Sequence, residues 1–304
     1  MEGQLIMERK SRRIVRIGKK AYSYEDMRRD IRRLRKRYPA CLGVGVLGKT
    51  PDQRNIYGIR LGNSMASRCV VVNASLHGRE WLNTQLMMLA LEYCCREMSR
   101  GGCRGKEYRR LFKDVCVYLL PMMNPDGVAV SQQGISAIRN PGLRRIVRPL
   151  AGGKSRFWKA NARGVDLNRN FDCGFYRNPV KEPASMEYGG DRPFSEPETE
   201  ILVRLVESVK PVGVINYHEA GPLIYYTRPS GLLTAVRRMT GYPLEQEQGG
   251  CPGSFGDWLT QRGIVYCTVE TCRGRAPVKH WQIYPCYLKN SRILAVAAKA
   301  AADM

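Results

Sequence analysis

Histidine is scarce in this chain, with three in 304 residues, so the surroundings of each one carry weight. His77 and Glu80 stand in His77-Gly78-Arg79-Glu80, an H-x-x-E spacing from which an imidazole nitrogen and a carboxylate can reach one cation out of a turn feeding a helix. Alone, such a pair is more often a surface accident than a ligand pair. His218, however, ends the apolar run Val212 to Tyr217, and a hydrolytic Zn²⁺ takes three protein ligands and leaves its fourth position to water, with two histidines and a glutamate as one known set. His77, Glu80 and His218 fit a single ion of that kind. The alternative third ligand is His280 in Val278-Lys279-His280-Trp281, which lacks a strand to aim it. Water activated at such a centre needs a base that later hands its proton to the leaving amine. Glu270 is the candidate, because it follows the apolar stretch Val265 to Val269 and would otherwise end a buried strand with an unpaired charge.

These residues need rigid elements to aim them. Cys69-Val70-Val71-Val72 reads as a buried strand, followed by a loop through His77 and Glu80 and an apolar helix from about Leu82 to Met98. Val115 to Leu120 is the next strand, ending at the turn Asn124-Pro125-Asp126-Gly127. Val212 to Tyr217 and Gly263 to Thr268 are the third and fourth, with His218 and Glu270 at their far ends. Before them, Cys41 to Leu47 and Ile56 to Leu61 read as an antiparallel pair. Residues 128–165 look like a loop-rich excursion, and Asp172 to Pro197 a second one closing on a helix start at Ser195-Glu196-Pro197-Glu198. Strands alternating with helices predict an α/β fold: one domain, a mixed twisted sheet with helices on both faces. In such sheets ligands bind at the carboxyl ends of the strands, where all the candidate residues fall.

Composition bounds the rest. Hydrophobic content of 43% with 25% charged residues is globular, which excludes disordered, collagenous and coiled-coil classes. A basic segment, residues 1–20, precedes a domain expected over 21–304. Charges at Glu2, Glu8, Arg9 and Lys10 interrupt any secretory apolar core, so a soluble, cytoplasmic protein is expected, with non-signal export or a spore compartment as alternatives. The longest apolar run, Ile293 to Ala302, is interrupted by Lys299 and is too short for a membrane span; it reads as a packed terminal helix. Eleven cysteines without repeated pair spacing read as thiols rather than a disulfide framework or a cysteine zinc site.

The net charge of +23 makes polyanion attraction a real consideration. Much of it lies between Arg28 and Arg37, on a helix signalled by Ser23, Asp26 and the apolar stripe Met27, Ile31 and Leu34 ahead of Pro39. Those arginines read as a solvated face. No zinc-finger or other nucleic-acid signature accompanies them, so no specific nucleic-acid partner is expected.

Taken together, the motifs resemble the zinc metallocarboxypeptidase family. The matching stretches are His77-Gly78-Arg79-Glu80, Asn124-Pro125-Asp126-Gly127, Gly164-Val165-Asp166-Leu167-Asn168-Arg169-Asn170-Phe171, Tyr217-His218 and Thr268-Val269-Glu270, in the family's order. Within it the likeness is to bacterial endopeptidases that cut the γ-D-glutamyl bond to meso-diaminopimelate, through Trp158 to Gly164, Pro193 to Glu198 and Gly253 to Trp258. The resemblance implies one zinc on His77, Glu80 and His218, Glu270 as general acid and base, and Asn168 with Arg169 on a substrate carboxylate. Arginine's planar fork suits that carboxylate.

Two departures stand out. The family's arginine after a tryptophan is Lys159 here, with Arg156 and Arg163 close by, so the cation facing the oxyanion is Lys159 or one of these arginines. The carboxypeptidase tyrosine upstream of Gly253-Ser254 is replaced around Gln248. The expected function is therefore zinc-dependent hydrolysis of peptidoglycan stem peptides, with a peptide or muropeptide as substrate. The alternatives are a carboxypeptidase acting on ordinary peptides, and a polyanion- or wall-binding protein with a silent metal site.

Overall fold

The protein is described by a computed structural model covering residues 13–18 and 21–304. Most of the basic segment 1–20 lies outside the described residues. Within the part that is described, the backbone N–H groups of Ile14 and Val15 donate to the two oxygens of Glu92 at 2.8 and 2.9 Å, and the Val15 side chain is buried.

In chain order the elements are α1 (Tyr24–Arg37), β1 (Leu42–Lys49), β2 (Asn55–Gly62), β3 (Arg68–Ala74), α2 (Leu82–Met98), α3 (Gly102–Asp114), β4 (Val115–Leu120), α4 (Pro125–Gln133) and α5 (Pro141–Ala151). After a long irregular stretch come α6 (Pro197–Val209), β5 (Gly213–Glu219), β6 (Leu223–Tyr226), α7 (Gly231–Thr240), β7 (Leu244–Gln246), α8 (Phe255–Gln261), β8 (Tyr266–Thr271), α9 (Ile283–Asn290) and α10 (Ile293–Ala302). No helix among the described residues is long and apolar enough to cross a membrane.

The eight strands form one mixed sheet in the order β1-β2-β4-β3-β5-β8-β6-β7. Its centre, β4-β3-β5-β8, is parallel, while β2 and β6 join it antiparallel. The strand side-chain period of two explains why the middle is apolar throughout. On β3, Val70, Val72 and Ala74 pack with α2, α7, α9 and α10, whereas Val71 faces the opposite layer with Leu202 of α6 and Trp258 of α8. Both faces are thus covered, as the α/β reading requires.

The chain leaves β3 through α2 and α3 to reach β4 on one side, then returns to place β5 on the other. That reversal opens a crevice at the carboxyl ends of β3 and β5, where open α/β sheets bind ligands. The position of the site follows from this topology.

Local signals in the sequence were largely followed. Ser23 and Asp26 form a reciprocal cap at the start of α1, a device worth about 1 kcal/mol. Met27, Ile31 and Leu34 are buried while Arg32, Arg33, Arg35, Lys36 and Arg37 are exposed, as expected of a packed helix with a wet face. All eleven cysteines are free thiols.

Three details differ from the expectation. Asn124-Pro125-Asp126-Gly127 is no isolated turn but the start of α4, with Asn124 as its cap and proline in the first turn; the same residue types serve both structures. The excursion over 128–165 contains the second half of α4 and all of α5. Finally, β5 and β8 run further than their apolar stretches, so His218 and Glu270 lie inside strands. Polar residues are tolerated there because the strand ends open into the crevice.

Candidate metal centre

The loop after β3 is built to hold two side chains in place. Ser75 adopts a left-handed φ of 54°, and its hydroxyl donates to the Glu80 carbonyl at 3.0 Å while lying 2.8 Å from the Thr84 hydroxyl. A Cβ on Gly78 would sit 2.5 Å from the Gly127 backbone, and one on Gly127 would sit 2.3 Å from the Ala160 carbonyl. Glycine is therefore required where three backbones stack. Asn124 fastens the stack: its NH₂ donates to the carbonyls of Leu76 and Ala160, each at 3.2 Å, while its oxygen accepts from the Gly127 N–H at 2.8 Å. Two of the sequence motifs thus clamp each other, and the segment carrying Lys159 with them.

At this clamp His77, Glu80 and His218 converge, all buried. His77 Nδ1 lies 2.7 Å from Glu80 Oε1, His218 Nδ1 lies 3.0 Å from Glu80 Oε2, and the two Nδ1 atoms are 3.2 Å apart. Two imidazole nitrogens facing each other over one carboxylate cannot both be satisfied by a shared proton, whereas a divalent cation accepts a lone pair from each. Three ligand atoms within 4.8 Å of one another offer the donor set of a hydrolytic zinc site. Behind His77, its Nε2 faces Asp166 Oδ1 at 3.3 Å, without the alignment of a hydrogen bond. A carboxylate in that place favours the Nε2–H tautomer and leaves Nδ1 for a metal. His280 is elsewhere, 3.1 Å from Gln85 Oε1.

Asp166 also begins a chain of charges. Lys159 Nζ is 2.8 Å from Asp166 Oδ2 and 3.1 Å from Glu187 Oε1. Arg169 donates from Nε to Glu187 Oε2 at 3.0 Å, and its Nη2 is ion-paired with the same oxygen at 2.8 Å. Asn168 accepts the Phe255 N–H on its side-chain oxygen at 2.9 Å, which directs its NH₂ as the donating end. Arg163 stands apart, largely exposed and 3.8 Å from Glu196. Glu270 is aligned with His218 in the parallel β5–β8 register, and its Oε2 is enclosed with no hydrogen-bond partner among the described residues.

Electrostatics separate these carboxyls. Burial would raise Glu80, but the imidazoles of His77 and His218 overcome it and hold its carboxyl below the ordinary range. Burial likewise works against the Asp166 carboxylate, and Lys159 and then His77 bring it well below the usual value. Glu270 goes the other way: burial lifts it well above the usual value, the Glu80 carboxylate adds to the rise, and Lys159 opposes it. Carboxyls split in this manner, one kept charged and one inclined to hold a proton, are what acid–base chemistry requires.

Asp166 and Glu187 join this cluster although the sequence reading does not nominate them: Asp166 lies in the stretch Gly164 to Phe171, which carries a signal, whereas nothing in sequence singles out Glu187.

Comparison with known proteins gives a family and a shared fold. The description "Zinc carboxypeptidase" fits residues 27–231. The γ-D-glutamyl-L-diamino acid endopeptidase 1 of Lysinibacillus sphaericus is 31% identical over 258 residues, covering 80% of this chain and 63% of its own; the chain thus spans less than two thirds of that relative. Among solved structures, carboxypeptidase A of Helicoverpa armigera shares the fold with a TM-score of 0.72 at 20% identity, covering 99% of this chain and 80% of that one. The murein-tripeptide amidase of Escherichia coli O157 shares it at 0.57 and 23% identity, covering 84% and 92%. With the family description spanning most of the sheet and its ligand-bearing loop, the chain belongs to the zinc carboxypeptidase family.

Proposed function

We propose that residues 21–304 form a zinc-dependent peptidase that cleaves γ-D-glutamyl bonds to a diamino acid in peptidoglycan stem peptides. The observation that carries this reading is the unbroken chain of charges from His77 through Asp166 and Lys159 to Glu187 and Arg169, which joins a hydrolytic ligand set to a cation suited to a substrate carboxylate. The name of the Lysinibacillus relative supports the choice of bond.

His77, Glu80 and His218 would hold one zinc ion, which supplies electrophilic polarisation of the scissile carbonyl when bound. The remaining work falls to the chain itself. Arg169 and the NH₂ of Asn168 take the free carboxylate of the leaving residue and so fix the amide over the crevice. Glu270, with its raised affinity for a proton, draws one from the attacking water and returns it to the departing amine. Of the three cations weighed for the developing oxyanion, Lys159, Arg156 and Arg163, Lys159 is the one tied to His77 through Asp166. Burial alone would lower its pKa, but Asp166 raises it above the ordinary value, so its charge is kept. Arg163, paired with Glu196 and largely exposed, is assigned the outer rim.

The test is a digest of L-alanyl-γ-D-glutamyl-meso-diaminopimelate by zinc-loaded protein, read by mass spectrometry. Release of diaminopimelate is expected, and its absence while ordinary C-terminal residues are trimmed would replace this reading with a carboxypeptidase. If neither is cut and Glu270→Ala leaves polyanion binding intact, the protein is a binder with a silent centre.

A further inference from the structure

Among the described residues, Glu187 is the one carboxylate ion-paired with both Lys159 and Arg169, and its position is prepared with care. Its backbone lies in the left-handed region at φ 69°, where a side chain other than glycine's is disfavoured. Two buried side chains hold it there: its N–H donates to Asp166 Oδ2 at 3.1 Å, and its carbonyl accepts from the Asn178 NH₂ at 2.7 Å. The strap that carries it is laced to the site segment by the N–H groups of Lys159 and Ala160 on the Ser185 carbonyl, each at 3.0 Å, and by the Asp166 N–H on the Tyr188 carbonyl at 2.7 Å. The Glu187 side chain is nevertheless 40% exposed. It is a fixed and reachable charge.

Charge balance shows what that placement selects. Lys159 and Arg169 are matched by Asp166 and Glu187, so the pocket wall is neutral before anything binds. A ligand with only a carboxylate would have to settle on Arg169 beside the Glu187 carboxylate, and like charges at contact disfavour it. A ligand carrying a carboxylate and an ammonium can exchange partners instead, the first taking Arg169 and the second Glu187, with no net charge added.

We propose that Glu187 reads a second amino group on the leaving residue and so makes the site selective for diamino acids. The inference rests on the substrate reading given above and names the residue that enforces it. Burial opposes the Glu187 carboxylate, but Lys159 and Arg169 hold it below the ordinary range against Asp166, so it is charged at neutral pH.

The experiment is calorimetric titration of the zinc-loaded full chain with Nα-acetyl-L-lysine and with Nα-acetyl-L-norleucine, which differ by an ammonium in place of a hydrogen on the terminal side-chain carbon. The lysine compound should bind at least about tenfold more tightly, the scale of one charge-assisted contact. Glu187→Gly relieves the left-handed backbone and should abolish the preference without lowering the melting temperature, while Glu187→Asp should keep part of it. Equal affinities in the parent protein, or a preference that survives Glu187→Gly, would overturn the proposal. Hydrolysis of γ-D-glutamyl-lysine and γ-D-glutamyl-norleucine peptides is followed in parallel. Failure to cut either one counts against the substrate reading, while the binding ratio still decides the role of Glu187.

Discussion

Among the described residues, the buried charges around Arg54 and those around His77 and His218 are finished differently. Around Arg54 every group is answered: its guanidinium donates to Asp52 at 2.6 Å, to Asp126 at 2.8 Å and to the Ala137 carbonyl at 2.6 Å. Asp52 in turn accepts the N–H groups of Arg139 and Asn140, and Asp126 accepts the Asp52 N–H. Around His77 and His218 the lone pairs converge without closing on one another, and Oε2 of Glu270 has no partner among the described residues. Unsatisfied buried polar atoms cost stability, so a fold keeps them where a ligand completes them. The first cluster ties loops together, and the second is arranged for something that arrives.

That contrast can be broken or sharpened by experiment. The largest effect is expected from His218→Ala: zinc content by elemental analysis should fall from about one ion per chain to near zero, and turnover should fall below detection. Retained zinc with full activity would put the centre elsewhere. Glu270→Gln should lower kcat by about 10²- to 10⁴-fold, the range of general acid–base catalysis, while zinc content stays unchanged. Arg54→Ala should do the reverse, costing about 3–5 kcal/mol of stability in denaturant titration by stranding two buried carboxylates, with zinc per folded molecule unaffected. If Arg54→Ala strips the metal, the two clusters are one unit.

Asp166→Asn sits between the clusters in character, and should weaken zinc by about 10- to 100-fold in competition with a chelator, as expected for a group behind a ligand. The smallest effect is in pH. Glu270 has a raised pKa in the folded protein, so the deprotonated base is lost as pH falls through a value above the ordinary glutamate pKa of about 4.3. The acid limb of kcat/KM should lie correspondingly high. A limb at the ordinary glutamate value would remove Glu270 from the role of base.

Much of the architecture could be read without coordinates. The α2 helix from Leu82 to Met98 and the β4 strand from Val115 to Leu120 have the predicted bounds, because long apolar runs with polar flanks leave little choice of element. The short strands β6 and β7, four and three residues long, left no such trace. Short strand pairing beside the sheet edge is a consequence of the neighbouring strand, not of local preference. Asn124 was legible as a turn residue but not as the clamp joining the His77 loop to the Lys159 segment, since its partners are carbonyls, which carry no residue type.

The sequence by itself determined which residues could do chemistry and in what order they follow: scarce histidines, an H-x-x-E step, a glutamate after an apolar strand and the Asn168-Arg169 pair. Only the tertiary structure decided that these form one place, and that Glu187 shares it. Pairing β3 with β5 and β5 with β8 in parallel sets His218 beside the His77 loop and in register with Glu270. Such register is fixed by burial on both faces of the sheet, a property of the assembled layers that no local stretch of chain contains.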